Sequence, residues 1–120
     1  MTLGTKNMDA DAATALALSM PEAVQSSHFG NADFRVRDRI FASMPKAGAM
    51  VLKLTTEQQE MLVEAEGAVF SALPNKWGEK GWTTVLLAAL DEPTALSALW
   101  MAWGNVAPKA LAKQAKLLRK

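Results

Sequence analysis

The chain is 120 residues long and sets 13 Lys and Arg against 12 Asp and Glu, with one His and no Cys. That length suits one domain, expected over residues 1–120, while the missing cysteine excludes disulfides, thiolate nucleophiles, zinc knuckles and iron-sulfur ligands. One histidine cannot build a multi-histidine metal centre, and a formal charge of +1 gives no global field to concentrate a polyanion.

Half of the residues are hydrophobic, but 22 of these are alanine, which favours helices and leaves a moderate set of larger core side chains. Residues 1–8 read as a flexible N-terminal segment. The first helix is expected from about Asp9 to Met20, with Asn7 or Asp9 as cap, acids in its first turn and Pro21 beyond its end. A secretory leader would need basic residues before the apolar stretch, yet Asp9 and Asp11 precede Ala12 and only Lys6 is an early base. No apolar run approaches the roughly 18 residues that cross a bilayer. A cytoplasmic location is the expectation.

From Ser26 to Leu54 the period becomes alternating. Phe34 and Val36, then Ile40 and Phe41, flank a turn at Arg37-Asp38, and Met50, Leu52 and Leu54 alternate with Val51 and Lys53, which predicts a hairpin plus a third strand. Two registers are open: a two-residue loop sets Phe34 opposite Phe41, and a three-residue loop sets Val36 opposite Ile40. Thr55 and Thr56 each have glutamine three residues on, at capping-box spacing, and start a short helix reaching about Ala65, with Gly67 as its stop. Val69 to Leu73 reads as a strand closed by Pro74, Asn75 to Gly81 as a loop, and Trp82 to Ala88 as a largely buried strand. Asp91 caps the clearest helix, with Pro93 in its first turn and Leu96, Leu99, Trp100 and Trp103 as one apolar stripe. After the interruption at Asn105 to Pro108, residues 109–120 form a last, basic helix. Strands grouped apart from helices predict an α+β fold: an antiparallel sheet covered by helices on one face, in the order α-β(3)-α-β(2)-α plus the C-terminal helix.

Two local concentrations of base stand out. Arg35, Arg37 and Arg39 surround the hairpin turn, with Lys46 and Lys53 following and Asp38 the only acid in that stretch. Arginine forks match phosphate oxygens, so such a hairpin suits a nucleic-acid backbone; the same alternation also keeps a sheet edge from pairing. At 100° per residue, Lys109, Lys113, Lys116 and Lys120 share one face of the last helix, with Leu111 and Leu118 opposite, which suits a phosphate backbone, an anionic membrane or an acidic partner, and equally a terminal helix with one solvated face. Residues 109–120 carry +5, residues 35–53 carry +4 and the rest −8, so the near-neutral total conceals a divided chain. Trp77 and Trp82 bracket a loop carrying Lys80; Trp77 is a candidate for stacking on a nucleobase, and Trp82 for core packing. His28 lies among serines, but no nucleophile elbow, paired acid, Walker loop or dinucleotide fingerprint accompanies it. No catalytic residue, metal or cofactor is therefore assigned, and no enzyme is expected. Glu57, Glu60, Glu64 and Glu66 read as a solvated helix face.

An ordered set of segments carries a resemblance: Met20-Pro21-Glu22, Ser27-His28-Phe29-Gly30-Asn31, Asp33 to Arg37, Arg39-Ile40-Phe41-Ala42, Leu54-Thr55 with Glu57-Gln58-Gln59, Trp77-Gly78, Gly81-Trp82-Thr83, and Ala102-Trp103 with Ala107-Pro108-Lys109. Together, over about residues 13 to 111, the chain resembles the MmcQ/YjbR-like family of small bacterial proteins. The resemblance implies an α+β sandwich grouped with secretion-chaperone-like folds, and a DNA-binding role of "double wing" type. On that reading the nucleic-acid contacts are Arg35, Arg37, Arg39, Lys46, Lys80, Lys109, Lys113 and Lys116, with Trp77 for stacking; a protein-interaction or adaptor role is the alternative. Two departures weaken the cationic hairpin picture: Asp38 stands where the family usually turns on glycine, and Gly104 where a base is frequent.

Overall fold

The computed structural model describes residues 8–28, 30–46 and 48–118. Most of the 1–8 segment and Lys120 lie outside these residues, as does the side chain of Leu118. Helix α1 (Ala10–Leu18) starts where Asp9 accepts the Ala12 N–H at 2.8 Å, which selects Asp9 over Asn7 as the cap. Four strands follow, β1 (Val24–His28), β2 (Asn31–Val36), β3 (Arg39–Lys46) and β4 (Ala49–Lys53), then α2 (Thr56–Ala65), β5 (Phe70–Ala72), the one-turn α3 (Lys76–Glu79) and β6 (Trp82–Leu86). A 3₁₀ turn at Leu87–Ala89 leads into α4 (Glu92–Val106) and α5 (Lys109–Leu118). The α+β expectation holds, with one strand more than the sequence pattern indicates. Val-Gln-Ser-Ser-His of β1 is exposed throughout, so it has no apolar period to read.

All six strands form one antiparallel sheet in the order β1-β2-β3-β4-β6-β5. The hairpin turn has two residues, with Val36 opposite Arg39 and φ of +51° at Arg37 and +67° at Asp38, the geometry that matches strand twist. Neither sequence register survives beyond the turn. The ladder shifts at Phe34/Arg35, so Phe41 is an extra residue between Ile40, opposite Arg35, and Ala42, opposite Phe34. That bulge puts two consecutive residues, Phe41 and Ala42, into the core. A second shift in β3, between Ser43 and Lys46, accommodates Pro45 within a strand.

The register also sorts side chains between faces. Phe34, Ala42, Leu52 and Thr83 are aligned across β2, β3, β4 and β6, and all are buried on the side covered by helices. The adjacent row, Ser26, Asp33, Ser43, Val51, Thr84 and Ser71, points the other way. Helix α4 packs on β3 and β4, and α1 on α4. The α4 face is rotated from the expected stripe: Ala95, Ala98, Leu99, Ala102 and Trp103 are buried, whereas Leu96 and Trp100 are partly exposed. Alanines permit the close approach to the sheet and α1, and the Trp100 side borders α5 instead. Trp103 Nε1 donates to the Pro21 carbonyl at 3.0 Å, tying α4 to the segment after α1.

Thr55 and Gln58 form the capping box of α2, the first of the two threonine-glutamine spacings. Gln59 is thereby turned inward. Its Nε2 lies 3.0 Å from the Gly78 carbonyl and 3.1 Å from both the Trp82 carbonyl and Thr83 Oγ1, binding α2 to the segment expected as a loop. Glu57, Glu60, Glu64 and Glu66 are exposed, as their spacing predicts.

Candidate functional site

Because the helices of the core cover one face, the opposite face of the sheet presents its own side chains. A trough of about 350 Å³ crosses it, lined by His28 and Asn31 at one end, by Ile40, Ser43, Pro45 and Val51 in the middle, and by Leu73, Trp77 and Trp82 at the other. The central row of Ser, Val and Thr side chains is short, so it forms the low floor between bulkier neighbours. Six strands about 4.8 Å apart give the sheet a breadth of about 24 Å across the strands. Trp82, expected to lie in the core, is half-buried at this wall, because β6 alternates between the two faces rather than sinking entirely.

Two glycines set the aromatic end. A Cβ at Gly78 would lie 1.8 Å from the Leu73 carbonyl oxygen, and one at Gly81, with φ of +106°, would lie 1.9 Å from that of Leu54. Their backbones can therefore press onto neighbouring segments, which brings α3 against β6. Trp77 meets Trp82 edge to face, with ring centroids 6.2 Å apart and planes at 81°. Trp77 remains 57% exposed, a large apolar surface left facing water. Lys80 Nζ stands 5.7 Å from the Trp77 ring centre and Lys53 Nζ 5.3 Å from that of Trp82. The second contact arises from the cross-strand pairing of Lys53 with Trp82. Leaving aside Arg39, whose partner Val36 is in the core, strands β2, β3 and β4 and the α3 turn with its Lys80 cap contribute five bases, Arg35, Lys46, Lys53, Lys76 and Lys80, against two acids, Asp33 and Glu79.

The expected nucleic-acid residues divide into three groups. Arg35, Lys46, Lys80 and Trp77 belong to the helix-free face or its border. Arg35, however, is committed to Asp33: its Nε and Nη2 donate to Oδ1 and Oδ2 at 2.8 and 3.1 Å, and Asp33 is 1% exposed. That bond, chiefly, raises the Arg35 pKa above its ordinary value. Arg37 at the turn is clamped by Glu22, at 2.6 and 3.1 Å, which raises the Arg37 pKa and holds the Glu22 carboxyl below the usual carboxylate range. Arg39, opposite the core residue Val36, projects to the helix side. Lys109, Lys113 and Lys116 are exposed on α5, where Lys116 borders a cleft with Trp100 and Trp103 in the helical layer. The helix-free face and the α5 lysines thus occupy opposite layers. Lys53 and Gln59 stand out in the sequence only as a base after the hairpin and a capping-box glutamine, and Lys76 not at all, so none of the three is expected at the site; the odd-numbered parity that Lys53 shares with Val51 is the signal that places it on this face.

Among the described residues, no three His, Cys, Asp or Glu side chains are grouped as a metal site would require, and no helix is long and apolar enough to cross a membrane. His28 is exposed at the trough's end. These features define a small α+β domain with a single helical layer and an uncovered, aromatic-cornered sheet face. The chain belongs to the YjbR family, whose model matches residues 18–104. Its fold is similar to the crystal structure of Deinococcus radiodurans protein DR2400, which carries the family-model domain DUF419: the TM-score is 0.69 at 21% identity, over 95% of this chain and 92% of that one. No curated protein sequence matches the chain significantly.

Proposed function

We propose that this YjbR-family protein is a non-catalytic nucleic-acid-binding module whose working surface is the helix-free sheet face. The observation that carries this reading is the exposed Trp77 beside Trp82, with Lys80 and Lys53 against the two rings. An unpaired base stacks on an aromatic ring while lysines meet its phosphates, and neither contact needs a particular base. The geometry therefore favours a single strand of DNA over a duplex, whose bases are already stacked. Lys46 and Lys80 border the trough, and Arg39 and the α5 residues Lys109, Lys113 and Lys116 supply further phosphate contacts on a longer ligand. Arg35 and Arg37 contribute less, because carboxylates already neutralise them.

Fluorescence anisotropy with short labelled single-stranded and duplex DNA, at low and moderate salt, tests the reading. Wild-type protein should bind the single strand more tightly, with salt-sensitive affinity, and Trp77→Ala should weaken binding by about 5- to 150-fold, the equivalent of ~1–3 kcal/mol of stacking. Absence of salt-sensitive binding by the wild type would sink it. A second reading, a protein-interaction domain, is favoured by the apolar trough lining of Ile40, Pro45, Val51 and Leu73. It predicts a co-purifying protein partner that Trp77→Ala releases.

A further inference from the structure

The two edges of the sheet are unlike. At one, β5 has three residues and packs against α2. At the other, β1 has five residues, every one exposed, and carries no Lys, Arg, Asp, Glu or Pro. Its ladder to β2 runs through five successive pairs, Val24 with Arg35 to His28 with Asn31, without the register shifts that interrupt β3. Natural sheets blunt their edges with charge, proline, bulges or a covering element, and among the described residues β1 has none of these. Its outward N–H and C=O groups alternate along a regular strand and are fitted to receive another strand.

We propose that β1 pairs antiparallel with β1 of a second copy of this chain, about a two-fold axis passing by Ser26. Self-complementarity selects this occupant. Around that axis Ser26 faces the other copy's Ser26, Gln25 faces Ser27, and Val24 faces His28. The pairing sets no acid against acid and no lysine or arginine against another. Val24, 55% exposed in the single chain, gains a neighbour on the helix-free face. The two-fold operation uses up the β1 edges, and the remaining edges are the short β5 strands beside α2, so assembly closes at two copies rather than continuing as a fibre. The joined sheet has twelve strands, and both helix-free faces lie on the same side of it. A single pair of five-residue strands belongs to the small class of interfaces, so the dimer is weak and exchanges with monomer. The pairing does not depend on what the trough binds.

The absence of native cysteine makes the test direct. Ser26→Cys places two thiols at the axis with Cα atoms about 4.5–5.5 Å apart, within disulfide range, so air oxidation should yield a disulfide-linked dimer of twice 12.9 kDa. Ser97→Cys, exposed on α4, should remain monomeric under the same conditions. Sedimentation of the wild type should show its mean mass rising with concentration, and Ser26→Lys, which sets two ammonium groups side by side at the axis, should hold the protein at 12.9 kDa. A wild type monomeric at every concentration, a Ser26→Cys protein that stays reduced, or equal cross-linking by both cysteine variants would overturn the proposal.

Discussion

Gln59 is the side chain through which the fold holds its aromatic corner, and replacing it separates two costs. Its amide has two hydrogens but three acceptors within 3.1 Å: the Gly78 and Trp82 carbonyls and Thr83 Oγ1. Each acceptor group keeps another bond without it. The Gly78 carbonyl still accepts the Gly81 N–H, the Trp82 carbonyl still accepts the Leu73 N–H, and Thr83 Oγ1 still donates to the Gly81 carbonyl. Gln59→Ala therefore forfeits about two net hydrogen bonds, at ~1 kcal/mol each, and some buried side-chain packing, for a total of ~2–3 kcal/mol. In a domain of this size that lowers Tm by ~8–12 °C. Gln59→Glu has nearly the same shape but sets a carboxylate against three oxygen acceptors at a site 8% exposed. At neutral pH it should cost more than the alanine, ~3–5 kcal/mol, the range for an uncompensated buried charge. The sign of its pH dependence follows. Burial among acceptors raises the folded carboxyl pKa above its unfolded value of about 4.3, so the penalty is full above the folded pKa and shrinks as pH falls through it. Urea unfolding of wild type and both variants at neutral and acid pH measures this. If glutamate proves no worse than alanine at neutral pH, or its deficit does not shrink in acid, the bonding assigned to Gln59 is wrong.

Glycine-to-alanine substitution should change sign with position: Gly78→Ala, whose Cβ meets the Leu73 backbone, destabilises by ~3 kcal/mol, whereas Gly104→Ala, in α4 with nothing within 4 Å, stabilises by ~0.5–1 kcal/mol, both read from denaturant midpoints. Trp103→Phe keeps an aromatic ring in a site 2% exposed but removes the donor to the Pro21 carbonyl, and calorimetry should register a loss of ~1–2 kcal/mol. The Glu22–Arg37 pair is exposed on both sides, so Glu22→Gln should change the urea midpoint only slightly near neutrality. Because the Glu22 carboxyl is held below its ordinary value, its contribution is present above the unfolded carboxylate pKa and disappears as pH falls through the lower folded one; wild type and variant should converge in acid, and in high salt.

Local chemistry wrote several elements plainly into the sequence. Asp9, Thr55 and Asp91 cap the helices they were expected to cap, and Arg37-Asp38 turns where the alternation breaks. Features fixed by long-range pairing were less legible. The Phe41 bulge depends on how a whole strand fits the core, and β1, with no buried face, offers no hydrophobic period. The candidate site shows the same division. Trp77 and Lys80 were visible as aromatic and base in one loop, whereas the Lys53–Trp82 contact exists only because β6 inserts between β4 and β5. Arg35 and Arg37 looked available as a sequence run; their carboxylate partners come from two positions earlier in the same strand and from the far end of β1's approach.

The one-sided placement of the helices also bears on how such a protein can change over generations. The hydrophobic core cluster is built from side chains on the covered face, where a substitution risks the whole domain. Residues such as Pro45, Trp77 and Leu86 sit exposed on the other face and can be exchanged with little loss of stability, unlike Asp33 with its ion pair and the buried Val51. Selection can therefore rewrite what the trough recognises while leaving the scaffold alone, and relatives of common fold need not share a ligand.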